Sequence, residues 1–171
     1  FYKIGLSLIP VGGFKLAMKL KNLGKKVFLD LKLFDIGYTI ENTVKSLSHL
    51  NIDFLTVHGD PQVVRAASKS ARDTNTKILA VTLLTSLDRQ DLDDSLIRDG
   101  NITDLASERA RNAFIAGADG VIASPNESKK IRQLTESKGR LIVTPGIRLK
   151  PDPQDDQKRT SDPQTAIKNG S

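Results

Sequence analysis

The chain has 171 residues, the size of one domain or a piece of one, and with 38% apolar and 27% charged residues it is neither disordered nor fibrous. It contains no cysteine, which excludes disulfides, thiolate nucleophiles and cysteine-ligated zinc, and its two histidines, His49 and His58, leave little for a histidine-based metal site. The net charge of +6 attracts anions, but aromatics are only 5% and no block of five or six like charges occurs, so a basic patch for one small anion fits better than a nucleic-acid surface.

Short apolar runs begin near Phe1, Lys26, Asp53, Lys77, Asp119 and Arg140, and their length suits buried parallel strands. Helical patterns lie between them. Ala17, Leu20 and Leu23 share one face before Gly24 as a stop; Ile40, Val44, Leu47 and Leu50 share the next, and further helices are expected at roughly 62–74, 102–116 and 127–137. Strands thus recur about every 21 to 27 residues, with one gap of about 42, the alternation of a (β/α) barrel or an open parallel sheet. The final SDPQTAIKNGS reads as a capped helix stopping at Gly170. No apolar run is long enough to cross a bilayer, and the opening FYKIGLSLIPVGG has neither a basic leader nor an uninterrupted apolar stretch, so a cytoplasmic protein without a membrane partner is expected.

The runs end in polar or glycine-containing text: KIG, DLKLFDIG, VHGD, TLLTS, ASPN and TPGIR. In parallel α/β folds ligands bind at the carboxyl ends of strands, so the chemistry is expected there. Segment 149–161, rich in proline and charge, sits on the same face; it reads as an exposed loop or as a lid over a ligand.

In KKVFLDLKLFDIGYT the alternation puts Phe28, Asp30 and Lys32 on one face and Val27, Leu29 and Leu31 on the other. An isolated Asp30–Lys32 pair would serve as a structural salt bridge inside a barrel. Asp35 adds a second carboxylate and Lys3 a second ammonium, and four alternating charges at one mouth are harder to explain as architecture. His58 ends a strand, but with no second histidine or cysteine nearby it reads as a hydrogen-bonded structural residue. Gly12 and Gly13 read as a plain helix entry, since no phosphate-loop motif accompanies them.

The stretch DLKLFDIGYT, Asp30 to Thr39, matches Asp-x-Lys-x-x-Asp-Ile-x-x-Thr, and with Lys3 in KIG, His58 in VHG, Thr85 in VTLLTS, and TPGIR followed nine residues later by Gln157, the chain resembles the orotidine 5'-phosphate decarboxylases over almost its whole length. The resemblance implies a TIM (β/α)8 barrel, with about six of its eight strands in this sequence, and cofactor-independent, metal-free decarboxylation of orotidine 5'-monophosphate to uridine 5'-monophosphate, the last step of de novo pyrimidine nucleotide synthesis. It implies that Lys32 protonates carbon six of the pyrimidine as carbon dioxide leaves. Asp30 stands beside the departing carboxylate, and Lys3 bonds Asp30 and the ribose hydroxyls. Asp35 is given across a homodimer interface into the partner's site. Ile36 and Thr39 neighbour base and ribose, Thr85 contacts the pyrimidine, and Arg148 and Gln157 belong to the phosphate side. The physics agrees, since an electron pair left on a ring carbon without a cofactor is stabilised by positive charge fixed in advance.

Members of that family also carry an aspartate on a first strand and a Gly-Arg on a last strand. Neither is in this sequence, so the single domain, 1–171, is expected to be a barrel incomplete at both ends. Two other readings stand beside this one. A decarboxylase like that acting on 3-keto-L-gulonate 6-phosphate shares the DxKxxD pattern but uses magnesium, and would show extra carboxylates at strand ends. A non-enzymatic nucleic-acid-binding domain is suggested by the charge alone; the charges scatter and no recognition motif is present.

Overall fold

The computed structural model describes residues 1–149 and 160–171. Its centre is a sheet of six parallel strands in sequence order: β1 (Tyr2–Gly5), β2 (Val27–Leu33), β3 (Phe54–His58), β4 (Lys77–Val81), β5 (Gly120–Ile122) and β6 (Leu141–Val143). Helices follow the strands: α1 (Gly13–Asn22), α2 (Gly37–Leu47), α3 (Pro61–Ala71), α4 (Arg89–Asp94), α5 (Ile102–Ile115), α6 (Pro125–Arg132) and α7 (Pro163–Lys168). This is the arrangement of consecutive β/α units of a (β/α)8 barrel. Among the described residues β1 pairs only with β2 and β6 only with β5, so these six strands do not close into a ring.

All six strands begin within a residue or so of where the apolar runs place them. Two helix expectations are corrected. The long gap between β4 and β5 holds an extra short helix, α4, started by a reciprocal capping box between Asp88 and Asp91 and seated on a satellite cluster of Leu83, Leu92, Leu105 and Ala106. The helix expected over 127–137 stops at Arg132, and a separate 3₁₀ turn covers Thr135–Ser137. Arg132 explains the stop: its guanidinium donates to the carbonyls of Ser137, Arg140 and Gly170, tying the chain after α6 to the end of α7. Gly24 takes the left-handed conformation (φ +68°) just past α1, as expected of a helix stop.

The sheet buries two apolar faces. Outward-facing Val27, Leu29, Leu55, Val57, Ile78, Ala80 and Val121 pack under the helices with Ile40, Val44, Val63 and Ala67. Inward-facing Leu79, Val81 and Ile122, with Phe28, Phe54 and Val143, fill the concave side. Truncating a fully buried side chain such as Leu29 to Ala would cost about 2–5 kcal/mol. The fold therefore rests on the outer layer, and the inner layer leaves room for polar groups towards the strand ends.

Candidate functional site

The concave face opens at the carboxyl ends of the strands into a cavity of about 440 Å³, a size suited to a small ligand. Its walls include Lys3, Asp30, Lys32, Thr85, Ser86 and Thr144, with Phe28, Leu84, Ile122, Val143 and Pro145 as the apolar lining. Among the described residues Asp30 is the one carboxylate in that wall. Its Oδ1 accepts from Lys32 Nζ at 2.8 Å and its Oδ2 from Lys3 Nζ at 3.2 Å, so two ammonium groups face one carboxylate and leave one positive charge for an anionic ligand. Burial of Asp30 works to raise its pKa. The hydrogen bond and charge of Lys32, with hydrogen bonds from Thr56 and Lys3, outweigh that and hold the carboxyl below its ordinary value.

Local backbone geometry sets this up. β2 pairs regularly with β3 through Leu29↔Leu55, then shifts register before Leu33↔Val57, so four steps on β2 span two on β3. Within that bulge Lys32 takes φ +48°, the left-handed region, a conformation that costs a non-glycine residue roughly 1–3 kcal/mol and gathers at functional sites. Its backbone N–H, removed from the ladder, donates to Thr56 Oγ1 at 2.9 Å, and the same hydroxyl donates to Asp30 Oδ1 at 3.0 Å. Thr56 was not singled out from the sequence. The signal was present, since FLTVH alternates and puts Thr56 on the inward face with Phe54 and His58.

Asp35 is exposed at the turn after β2, where its Oδ1 accepts from the Ile36 N–H at 2.7 Å, and it does not line the cavity. Ile36 caps the start of α2 with its side chain in solvent, and Thr39, on the first turn of that helix, lies in a separate shallow groove with Phe14 and Tyr38. Around Asp35 the surface is apolar: Phe34, Ile36 and Tyr38 are 65%, 67% and 76% exposed.

Thr144 and Pro145 of TPGIR reach the cavity, whereas Arg148 stands outside its wall with Nη1 donating to the Ile147 carbonyl at 3.0 Å. The chain leaves at Leu149 and returns beside its starting point, because Arg148 N–H donates to the Ser161 carbonyl at 2.9 Å and Ser161 N–H to Gly146 at 3.1 Å. Gln157 and most of the expected lid, 149–161, lie outside the described residues. His58 is hydrogen-bonded, its Nδ1 2.6 Å from Asp60 Oδ2 and its ring tilted against Phe34, and it does not line the cavity.

A larger cavity, about 760 Å³, opens at the opposite end of the sheet among Arg65, Lys69, Arg72, Lys77 and Asp119. It lies at the amino ends of the strands, the face that in such barrels serves stability rather than chemistry.

The orotidine 5'-phosphate decarboxylase / HUMPS family profile matches residues 1–171. The chain belongs to this family. A protein of Jannaschia sp. (strain CCS1) named orotidine 5'-phosphate decarboxylase is 60% identical over 171 residues, covering 99% of this chain and 75% of the relative. One of that name from Ruegeria pomeroyi is 59% identical, with coverage of 99% and 71%. Among solved structures, orotidine 5'-phosphate decarboxylase from Lactobacillus acidophilus superposes with a TM-score of 0.86 at 34% identity, over 100% of this chain and 75% of the other. The six parallel strands are therefore those of a TIM barrel, with about six of its eight strands in this chain.

Proposed function

We propose that the protein is a carboxy-lyase that converts orotidine 5'-monophosphate to uridine 5'-monophosphate without a cofactor, with Lys32 as the proton donor. The observation that carries the reading is the Lys3–Asp30–Lys32 array at the strand ends of a chain belonging to this family. In the reaction the bond between carbon six and the carboxyl carbon breaks, carbon dioxide leaves, and the electron pair stays on the ring carbon. The Lys32 ammonium, fixed beforehand, stabilises that charge and then gives it a proton; solvent returns the proton to the amine. Asp30 holds the ammonium in place at 2.8 Å and stands where the substrate carboxylate enters. Lys3 bridges Asp30 and the ribose hydroxyls, and Thr85 and the apolar wall receive the base. Arg148 and Gln157 take the phosphate side, where binding energy from a non-reacting group closes the 149–161 loop and orients the ring.

The protein acts as a homodimer in which Asp35 enters the partner's site beside Ile36 and Thr39. Exposed Phe34, Ile36 and Tyr38 around Asp35 support this, since apolar surface rimmed by polar residues marks an interaction site. The uridine nucleotide synthesis pathway and the cytoplasm are the setting this activity implies, and among the described residues no helix is long and apolar enough to cross a membrane. The test is turnover of orotidine 5'-monophosphate in the presence of a chelator. Carbon dioxide release that the chelator leaves unchanged supports the reading. Silence in chelator, restored by magnesium on a keto-sugar phosphate, overturns it in favour of the magnesium-using decarboxylases.

A further inference from the structure

Thr56 is fully buried on the inward face of β3, next to the bulge of β2, and its hydroxyl is committed on both sides. It accepts the Lys32 backbone N–H at 2.9 Å and donates its own proton to Asp30 Oδ1 at 3.0 Å. A hydroxyl has one proton and two lone pairs, so one atom satisfies a donor and an acceptor at once. Asp30 Oδ1 is also the atom that receives Lys32 Nζ. The threonine oxygen, the lysine backbone, the lysine side chain and the aspartate therefore form one closed loop of hydrogen bonds.

We propose that Thr56 is a positioning residue for the decarboxylation: its hydroxyl locks the left-handed turn at Lys32 and thereby aims the Lys32 ammonium at the reacting carbon. The inference rests on the functional reading above and adds to it a residue that touches neither substrate nor reacting atoms. The conformation at Lys32 is otherwise unfavourable (φ +48°), and the hydroxyl is the partner that its displaced N–H finds. Without the hydroxyl, that N–H has no acceptor in a part-buried position, and a turn back towards extended backbone relieves it. Such a turn carries the side chain away from Asp30. Misplacement of a reacting group by about 1 Å is enough to cost on the order of a hundredfold in rate.

Asp30 gives a second, independent readout. Its carboxyl is raised by burial and lowered by Lys32, and the Thr56 hydrogen bond adds to the lowering, so removing the hydroxyl lets it titrate at higher pH.

The experiment compares wild type, Thr56→Val, which keeps the shape and loses the hydroxyl, and Thr56→Ser, which keeps the hydroxyl. Melting temperature checks folding. Thr56→Val is expected to lose at least about tenfold in kcat with KM changed by less than about threefold. Its Asp30 carboxyl resonance should titrate at higher pH than in wild type. Thr56→Ser should recover kcat to within about threefold, together with the wild-type titration. Should Thr56→Val not fold, Thr56→Cys, which shares the unbranched shape of Ser but carries only a weak donor and acceptor, reads the same contrast against Ser. A Val or Cys variant with kcat within twofold of wild type and an unmoved Asp30 titration overturns the proposal, as does a Ser variant as impaired as the Val variant. If wild type itself does not turn over orotidine 5'-monophosphate, the functional reading fails on its own. The Asp30 titration and the Lys32 amide shift then still decide whether the hydroxyl holds the turn.

Discussion

At the starts of the strands, Asp53 accepts from the Val27 N–H and from Lys21 Nζ, each at 2.8 Å, and Asp119 accepts from the Ile78 N–H at 2.8 Å. At their ends, Asp30 has no backbone donor among the described residues; its partners there are Lys3, Lys32 and the Thr56 hydroxyl. The same residue type thus does two jobs. Carboxylates bonded to strand N–H groups close the ladder where a strand begins, which fixes backbone. A carboxylate bonded to side-chain cations at a cavity wall leaves the backbone out of the array, so a ligand with its own carboxylate and hydroxyls can join it. The strain lies at the same end: the bulge and the left-handed Lys32 are beside Asp30, while β3 and β4 pair in unbroken register above Asp53.

The contrast is broken most severely at Lys32. Lys32→Ala removes both fixed charge and proton donor and should lower turnover by at least a thousandfold, about 4 kcal/mol, while melting temperature falls by far less than that loss of activity implies, because Ala keeps the same left-handed backbone and Asp30 keeps Lys3 and Thr56 as partners. Steady-state kinetics beside calorimetry checks both halves; more than a tenth of wild-type turnover would remove Lys32 from its role. Next in size, Lys32→Ala and Asp35→Ala chains, each inactive alone, should regain activity when mixed, because one hybrid site holds both residues. Random exchange of protomers gives roughly a quarter of wild-type sites. Mixed dimers verified by mass without recovery would count against a shared site.

At the other end the effect should be on stability alone. Asp53→Ala leaves the Val27 N–H and Lys21 without their acceptor and should cost about 1–3 kcal/mol, at roughly 2–4 °C in melting temperature per kcal/mol, with kcat unchanged. Thermal melts and kinetics on one preparation check this. The smallest effect is in pH. In Asp53, as in Asp30, burial raises the carboxyl and the lysine partner leads the contributions that lower it further, so both sit below their unfolded value of about 3.9. A depressed carboxyl contributes stability that is present above the unfolded value and lost as pH falls through the folded one. Wild type should therefore lose stability on acidification below about pH 4, and Asp53→Ala should lose less over that range; denaturant melts at several pH values measure the difference.

Sequence patterning made the strands legible because each is a short apolar run bounded by polar text, and it placed Asp30 and Lys32 on one face even though the strand is bulged between them. What stayed hidden depends on pairing across the sheet. That Thr56 lies against Asp30 follows from the register of β3 on β2, and that Asp53 and Asp119 grip neighbouring strands follows from the same registers. Helix α4 escaped because its six residues bury only Leu92 and so carry no helical stripe. Arg148, read with the phosphate side, stands outside the cavity wall, four residues beyond Thr144, and sequence alone gives no distance for that step.

Whether the ligand occupies the smaller cavity at the strand ends or the larger basic one at their starts is decided most directly by mapping bound uridine 5'-monophosphate through backbone amide shifts. The expected result is that perturbations centre on Lys3, Asp30, Lys32, Thr85 and Thr144, with Lys77 and Asp119 unmoved. Perturbations centred on Arg65, Lys69, Arg72 and Lys77, with the Asp30–Lys32 pair silent, would contradict it.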